Sequence, residues 1–420
     1  MDIKELWREF ENCTCGKEHK CPIDAVVIGN GALDSLVKLC DSYRHVLLVS
    51  DENTYKVCGS AVSGLIGDKI ENNLVFKTGK GLLIPDEGAI NTIEAALTEK
   101  TELIIGIGSG VINDLCKYVS YFHDLPYFII ATAPSMDGYA SVGAAMILNG
   151  MKVTVNTRPP KAIIAESDVL KNAPIDMLKA GYGDIIGKFS CLNDWELSAL
   201  VNGEYFCKKI YEYTLKCAEG IKDKAKSILA REPSAVNELM EALVTVGILM
   251  SFAGSSRPAS GSEHHLSHFF EITGILYGKE YFAHGIDVIC SSYYTQKLRE
   301  KLLSSELPTY VGELTLDDHK ENLKNIYSTL TDEVIALQEK IGWYNNGKIA
   351  FYRENWQNIK AILAKAPASK EIKGYIESIG LDINAFAELY GEEKINNALL
   401  YAKDLKDRYS VLWLNFEINR

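Results

Sequence analysis

The chain has 420 residues, 47% of them hydrophobic and 24% charged, with a formal net charge of −12 at pH 7. Such a length favours two domains over a single core, and the acidic balance argues against a nucleic-acid partner, which needs a basic surface. No apolar run approaches the roughly 20 residues needed to span a bilayer, and the start "MDIKELWREFENC" lacks a signal peptide's basic-then-apolar order, so a cytoplasmic protein without membrane insertion is expected.

In chain order, the first feature is "CTCGKEHKC", which gathers Cys13, Cys15, His19 and Cys21. Cysteine and histidine at short spacing read either as a zinc knuckle or as a reduced surface loop. The cramped spacing and the lack of a second ligand pair favour the loop. Cys40, Cys116 and Cys290 each sit singly in apolar segments, where free cysteine behaves as a small hydrophobe.

"DAVVIGNGALDSLVKL" then reads as strand, glycine turn and helix. "HVLLVSDENTY" is a second strand ending at Asp51, and "NLVFKTG" a third, followed by a helix from about Pro85 to Glu99. "TELIIGIGSGVINDLCKYVSYF" repeats strand, glycine turn and helix, and "PYFIIATAPSMDG" is a fifth strand running into a loop. Strands joined by helices predict a parallel sheet covered on both faces. "AAMILNGMKVTVNTRPPKAIIAE" predicts a hairpin around Asn149-Gly150 and one more strand. After Ser167 the strand pattern stops. The expected architecture is an α/β domain with a Rossmann-like parallel sheet, residues 1–167, followed by an all-α domain, residues 168–420.

Ligands of such sheets bind beyond the carboxyl ends of the strands. "GIGSG", Gly106 to Gly110, follows a buried strand and opens a helix, so its amides can approach a pyrophosphate. It matches neither G-x-G-x-x-G nor a Walker loop, and a plain tight turn between strand and helix explains it equally well. Asp51, ending the second strand, is placed either to accept from ribose hydroxyls and repel a 2′-phosphate or to cap the following helix. Together these features point to NAD(H), with NADP(H) as the alternative.

"SGSEHHLSHFFE" holds three of the chain's eight histidines. Four apart on a helix, His264 and His268 share a face, with His265 turned aside. Asp184 lies in the apolar stretch "AGYGDIIGKF", and His284 heads the helix "HGIDVIC". One acid and two histidines with open positions suit catalytic Zn²⁺, Fe²⁺ or Ni²⁺. Taken singly, Asp184 also reads as a helix cap and His284 as a core histidine.

The blocks "GIGSGVINDLCKY", "TAPSMDGYAS", "GYGDIIGKFSCLNDW", "SGSEHHLSHFFE" and "AHGIDV", in that order, resemble the glycerol-1-phosphate dehydrogenases. These belong to the superfamily of iron-type alcohol dehydrogenases, glycerol dehydrogenase and dehydroquinate synthase. The resemblance implies a dehydroquinate synthase-like fold with its active site between the α/β and helical halves. It implies metal ligands at Asp184, His264 and His284, with His268 facing the substrate. The pyrophosphate loop falls on Gly108, Ser109 and Gly110, with Asp114 and Lys117 one turn on, and Thr132, Ser135 and Ser141 join the cofactor-binding set. Asp51 matches the ribose-binding acid and Asp137 a substrate-binding aspartate.

Lys188 stands where iron-type alcohol dehydrogenases put a fourth ligand, a histidine, four residues after the aspartate. On the same helical face as Asp184, it is placed to meet a substrate phosphate or, alternatively, to pair with Asp194. Arg257 is a second candidate phosphate contact. The expected reaction interconverts dihydroxyacetone phosphate and sn-glycerol 1-phosphate, a small phosphorylated triose and triol, in a homodimer or larger assembly. Rival readings are a glycerol dehydrogenase acting on unphosphorylated polyols, a dehydroquinate synthase, and a non-catalytic redox sensor using Cys13, Cys15 and Cys21.

Overall fold

The computed structural model describes residues 3–79, 81, 83–148, 151–306, 316–345 and 347–419. Its strands are β1 (Ala25–Gly29), β2 (Val46–Asp51), β3 (Ile70–Phe76), β4 (Leu103–Gly108), β5 (Tyr127–Ala131), β6 (Gly143–Leu148), β7 (Met151–Asn156) and β8 (Ala162–Glu166). Six of them form one parallel sheet in the order β1-β8-β5-β4-β2-β3. The other two, β6 and β7, pair antiparallel with Leu148 opposite Met151, as the hairpin expectation requires; its turn, Asn149-Gly150, lies outside the described residues.

The central strand β4, "LIIGIG", is buried along its whole length. A strand covered on both faces reads as a continuous apolar run, and each of Leu103, Ile104, Ile105 and Ile107 contributes roughly 1.5–3 kcal/mol by leaving water. The helix Gly110–Phe122 buries Ile112, Leu115, Cys116 and Val119, the spacing of a single helical face, and packs against β4. It starts close to the strand because Gly108 has no side chain: a Cβ there would lie 2.5 Å from the Cβ of Ile112.

Strand order also fixes where a ligand belongs. From β2 the chain moves to β3 on one side, then returns to β4 on the other side of β2. The order therefore reverses between β2 and β4, and the crevice beyond their carboxyl ends is the topological switch point. Asp51 ends the first of these strands; the second runs through Gly106 to Gly108, so the turn expected over Gly106–Gly110 is confined to its end, at Gly108, Ser109 and Gly110.

The chain divides into two compact units, Met1–Ile185 with Glu219–Ser256, and Ile186–Ala218 with Arg257–Arg420. This differs from a boundary after residue 167. The strand pattern shows where the sheet ends, but not which later helices cover it. Asn237 hydrogen-bonds Ser167, Arg231 Nη1 donates to the Ala173 carbonyl at 2.7 Å, and Ser251 Oγ donates to the Ala140 carbonyl at 3.0 Å. These bonds return residues 219–256 to the α/β unit.

That segment contains the helix Pro233–Ala253, 21 residues with mean hydropathy 1.5, long and apolar enough to cross a bilayer by length and composition. The expectation that no apolar run reaches that length is corrected here. Its apolar window is 72% buried within the protein, as a core helix's is.

Among the described residues of the second unit, every secondary-structure element is a helix. Its helices include Lys188–Asn202, Ser262–Tyr277, His284–Ser304 and Val411–Asn419, and Trp195, Trp413 and Tyr327 are among the large side chains it buries. Cys40, Cys58, Cys116 and Cys290 are free thiols. Cys40, Cys116 and Cys290 are buried, and burial pushes the Cys40 thiol up to about 11.

Candidate active site

In the α/β unit, Asp51 ends β2 and caps the next turn. Its Oδ1 accepts from the amides of Asn53 and Thr54, both at 2.8 Å, while Thr54 Oγ1 accepts from the Asp51 amide at 3.0 Å. The capping alternative is therefore realised. It engages Oδ1, which leaves the ribose reading to rest on Oδ2.

Ser109 precedes the first turn of the helix Gly110–Phe122, whose leading amides point out beyond β4. One turn on, Asp114 does a different task. Its Oδ2 accepts from the Ala145 amide at 3.2 Å and its Oδ1 from Asn113 Nδ2 at 3.1 Å. Lys117, fully buried, donates to the carbonyls of Gly138 at 2.8 Å and Gly143 at 2.9 Å. Burial lowers the Lys117 pKa, opposed by the Asp114 charge. Ser141 Oγ closes on the same two carbonyls. In this structure Asp114, Lys117 and Ser141 hold the 138–145 loop against the helix. The Thr132 amide donates to the Gly108 carbonyl at 3.1 Å, tying the two strand ends together, and the Ser135 amide donates to the Ala133 carbonyl.

The loop carrying Asp137 is clamped. Tyr139, fully buried, donates its hydroxyl to the Ala133 carbonyl at 2.7 Å. The Asp137 amide donates to Asp184 Oδ2 at 2.9 Å. Asp184 is buried in the last turn of the helix Ile175–Ile186, so it is not an N-cap. Two glycines that the motif reading passed over allow the close approach: a Cβ on Gly181 would fall 1.8 Å from the Pro134 carbonyl oxygen, and one on Gly247 would fall 2.6 Å from that of Asp137.

In the helical unit, the helix Ser262–Tyr277 presents His264 and His268, and the next helix begins at His284. Ring centroids lie 5.1 Å apart for His264 and His284, 5.6 Å for His268 and His284, and 6.4 Å for His264 and His268. His264 Nδ1 donates to Glu263 Oε1 at 2.6 Å. Burial alone would raise the Glu263 carboxyl, but the bond and charge of His264, with the Gly261 amide, hold it below its ordinary value. Ser267 Oγ donates to the His284 carbonyl at 3.4 Å and meets His284 Nδ1 at 3.2 Å. Nδ1 of both rings is thus turned to the protein. His265 turns into the core, where neither ring nitrogen has a hydrogen-bond partner among the described residues. Burial, reinforced by Arg408, Lys406 and Arg257, keeps its pKa well below the ordinary value.

The same histidine helix is anchored at its start. The Ser262 amide donates to Asp194 Oδ2 at 2.7 Å, and Asp194 is ion-paired with Arg299 at 2.8 Å, both fully buried. Asp194's ion partner is thus Arg299, not Lys188. Lys188 is fully buried and donates to the Ala259 carbonyl at 3.0 Å. One helix ends at Ile186 and the next begins at Lys188, with Gly187 between them in right-handed helical conformation, φ −54 and ψ −23. Arg257 directs Nε to Glu204 Oε1 at 2.7 Å, Nη2 to Glu204 Oε2 and Nη1 to the Tyr409 carbonyl at 2.8 Å. A substrate phosphate would have to compete with that carboxylate.

A parallel sheet with a glycine turn at its switch point, followed by a helical unit that gathers His264, His268 and His284, fits the class of dinucleotide- and metal-dependent dehydrogenases. The profile of the family described as iron-containing alcohol dehydrogenase matches residues 27–174. A glycerol-1-phosphate dehydrogenase [NAD(P)+] of Halalkalibacterium halodurans is 32% identical over 81% of this chain and 88% of the relative. One from Bacillus licheniformis is 30% identical over 95% and 90%. The structure of sulfoacetaldehyde reductase from Bifidobacterium kashiwanohense in complex with NAD+ shares the fold, with a TM-score of 0.62 at 12% identity over 91% of each chain. The chain belongs to the glycerol-1-phosphate dehydrogenase family.

Proposed function

We propose that this protein interconverts dihydroxyacetone phosphate and sn-glycerol 1-phosphate with NAD(H), NADP(H) being the alternative coenzyme, in the cytoplasm and as a homo-oligomer. Membership of a family whose curated relatives carry that activity in their names, at 30% identity or more over most of the chain, is the observation that carries the reading. Asp51, Gly108, Ser109, Gly110, Thr132 and Ser135 would hold the dinucleotide, with Asp114 and Ser141 fixing the loop beside it.

Asp184, His264 and His284 would hold one divalent ion. Their chemistry fits: a buried carboxylate and two imidazoles, each with Nδ1 engaged, are donors that zinc, nickel and iron all accept. Bound, the nicotinamide supplies the hydride and the metal supplies Lewis acidity at the substrate carbonyl. His268 gives a proton to the C2 oxygen during reduction and takes it back during oxidation, a role that imidazole commonly fills. Asp137 orients the substrate hydroxyls. Lys188 meets the phosphate, whose charge also offsets the cost of burying an ammonium. Arg257, held by Glu204, is a second and weaker phosphate contact.

NADH oxidation with dihydroxyacetone phosphate, on metal-stripped enzyme with zinc, nickel or iron restored in turn, tests coenzyme, substrate and metal together. Lys188→Ala is expected to lower kcat/KM far more for dihydroxyacetone phosphate than for dihydroxyacetone. An equal loss on both refutes the phosphate role, and unchanged metal content in Asp184→Asn and His284→Ala refutes the ligand set.

A further inference from the structure

The N-terminal cysteines converge on a second site. Helix Ile3–Glu11 ends in a turn where the Cys13 amide donates to the Phe10 carbonyl at 3.1 Å. Gly16 follows at φ +86, a left-handed conformation that glycine adopts without a Cβ penalty. That turn brings the chain back so that His19 Nε2 lies 3.2 Å from Cys15 Sγ. One donor atom each of Cys13, Cys15 and His19 lie within 4.8 Å of one another. Zinc–sulfur bonds of about 2.3 Å and zinc–nitrogen bonds of about 2.0 Å in a tetrahedron separate ligand atoms by roughly 3.5–3.8 Å, a spacing small side-chain adjustments reach from here.

The histidine is prepared for this role. Its Nδ1 lies 3.1 Å from the Phe252 carbonyl, which only accepts, so Nδ1 carries the proton and Nε2 presents its lone pair toward the thiols. The ring is also gripped: Phe10 meets it edge-on at 5.2 Å and Phe252 at 5.6 Å. Lys17 Nζ donates to the Ala253 carbonyl at 3.0 Å, tying the loop to the end of the helix Pro233–Ala253. A reduced surface loop explains none of this convergence. Cys21, by contrast, is buried in the core and stands outside the donor group.

We propose that Cys13, Cys15 and His19 bind a zinc ion, separate from the ion of the dehydrogenase site, with the fourth position taken by another donor. Two thiolates and an imidazole are soft, borderline donors that favour zinc over the oxygen-loving cations. The ion would staple the N-terminal helix to the helix Pro233–Ala253, so its role is structural.

The test uses the full-length protein loaded with Zn²⁺ or Co²⁺ alone. Expected are two metal equivalents per chain, of which Cys13→Ser/Cys15→Ser loses one and His284→Ala the other. Co²⁺ should give a thiolate-to-cobalt charge-transfer band in the unmutated protein, because the ligands assigned to the dehydrogenase site include no sulfur. His19→Ala should weaken and shift that band while the thiolates remain. The idea is overturned if the unmutated, folded protein shows no such band, or if the band survives intact in Cys13→Ser/Cys15→Ser. A metal count that falls in His284→Ala with no cobalt–thiolate band sinks this proposal and leaves the dehydrogenase reading standing.

Discussion

Replacing Glu263 separates what holds His264 from what holds the fold. Glu263 is fully buried and accepts twice, from His264 Nδ1 at 2.6 Å and from the Gly261 amide at 2.9 Å. Held below its ordinary pKa, it is a carboxylate at neutral pH, so the bond to His264 is charge-assisted. Glu263→Gln keeps shape and an acceptor but removes the charge. Bonds to charged groups exceed neutral ones by about 1 kcal/mol, so metal affinity should fall about fivefold. Glu263→Ala removes the acceptor. Loss of a carboxylate behind a ligating histidine costs about 10–100-fold in metal affinity, or about 1.4–2.7 kcal/mol. It also strands two buried donors, at about 1–3 kcal/mol of stability each. Zinc titration of metal-stripped protein against a chromophoric chelator reads the first effect, and thermal unfolding reads the second. If Glu263→Ala lowers the melting temperature while zinc affinity stays at the unmutated value, Glu263 only packs the helix and the reasoning fails.

Three further outcomes follow from the same contacts. Gly181→Ala drives a Cβ into the Pro134 carbonyl and should destabilise the α/β unit by about 1–3 kcal/mol, read as a lower denaturant midpoint; an unchanged midpoint would mean the loop yields freely. Asp194→Ala leaves Arg299 buried without its counter-charge and should lose about 3–5 kcal/mol, well beyond any exposed acid such as Asp168. Burial holds the His319 pKa below its ordinary value, against the pull of Asp404, with Lys403 adding to the depression. The unfolded chain therefore takes up a proton near pH 6.5 that the folded chain refuses, and stability should fall by up to about 1.4 kcal/mol per unit as pH drops below that point. His319→Gln should flatten the slope between about pH 7 and about pH 5.5; an equal slope in both proteins would assign it to other groups.

What was legible in the sequence follows from how local each signal is. The parallel sheet could be read because strands buried on both faces are written as apolar runs, each closed by a glycine or polar turn, although β4 continues through Gly106 to Gly108, where a turn was expected. The division of "SEHHLSH" was also legible, because helical periodicity alone sends His264 and His268 one way and turns His265 aside; that His265 is buried is seen only in the structure. Partnerships between distant residues were not. Asp194 invited a partner six residues away in Lys188, yet Arg299 supplies it from another helix. Glu263 stood in full view beside His264 without a role, because its value depends on a rotamer and on the Gly261 amide.

The compact units depart from the expected boundary for the same reason. Covering a sheet is a tertiary requirement, met by a helix some 70 residues after the last strand, as the Ser167–Asn237 bond marks. Gly181 and Gly247 carry the point furthest. Each lies inside a helix, where glycine weakens the local preference and so reads as a defect. The defect is the requirement: the Asp137 loop passes where any side chain would stand, and a backbone amide can reach Asp184 only because of it. A residue that contradicts its own helix in the middle of an apolar face is therefore a pointer to a site, one readable in sequence once the physical cost of placing it there is taken as evidence that something must come close.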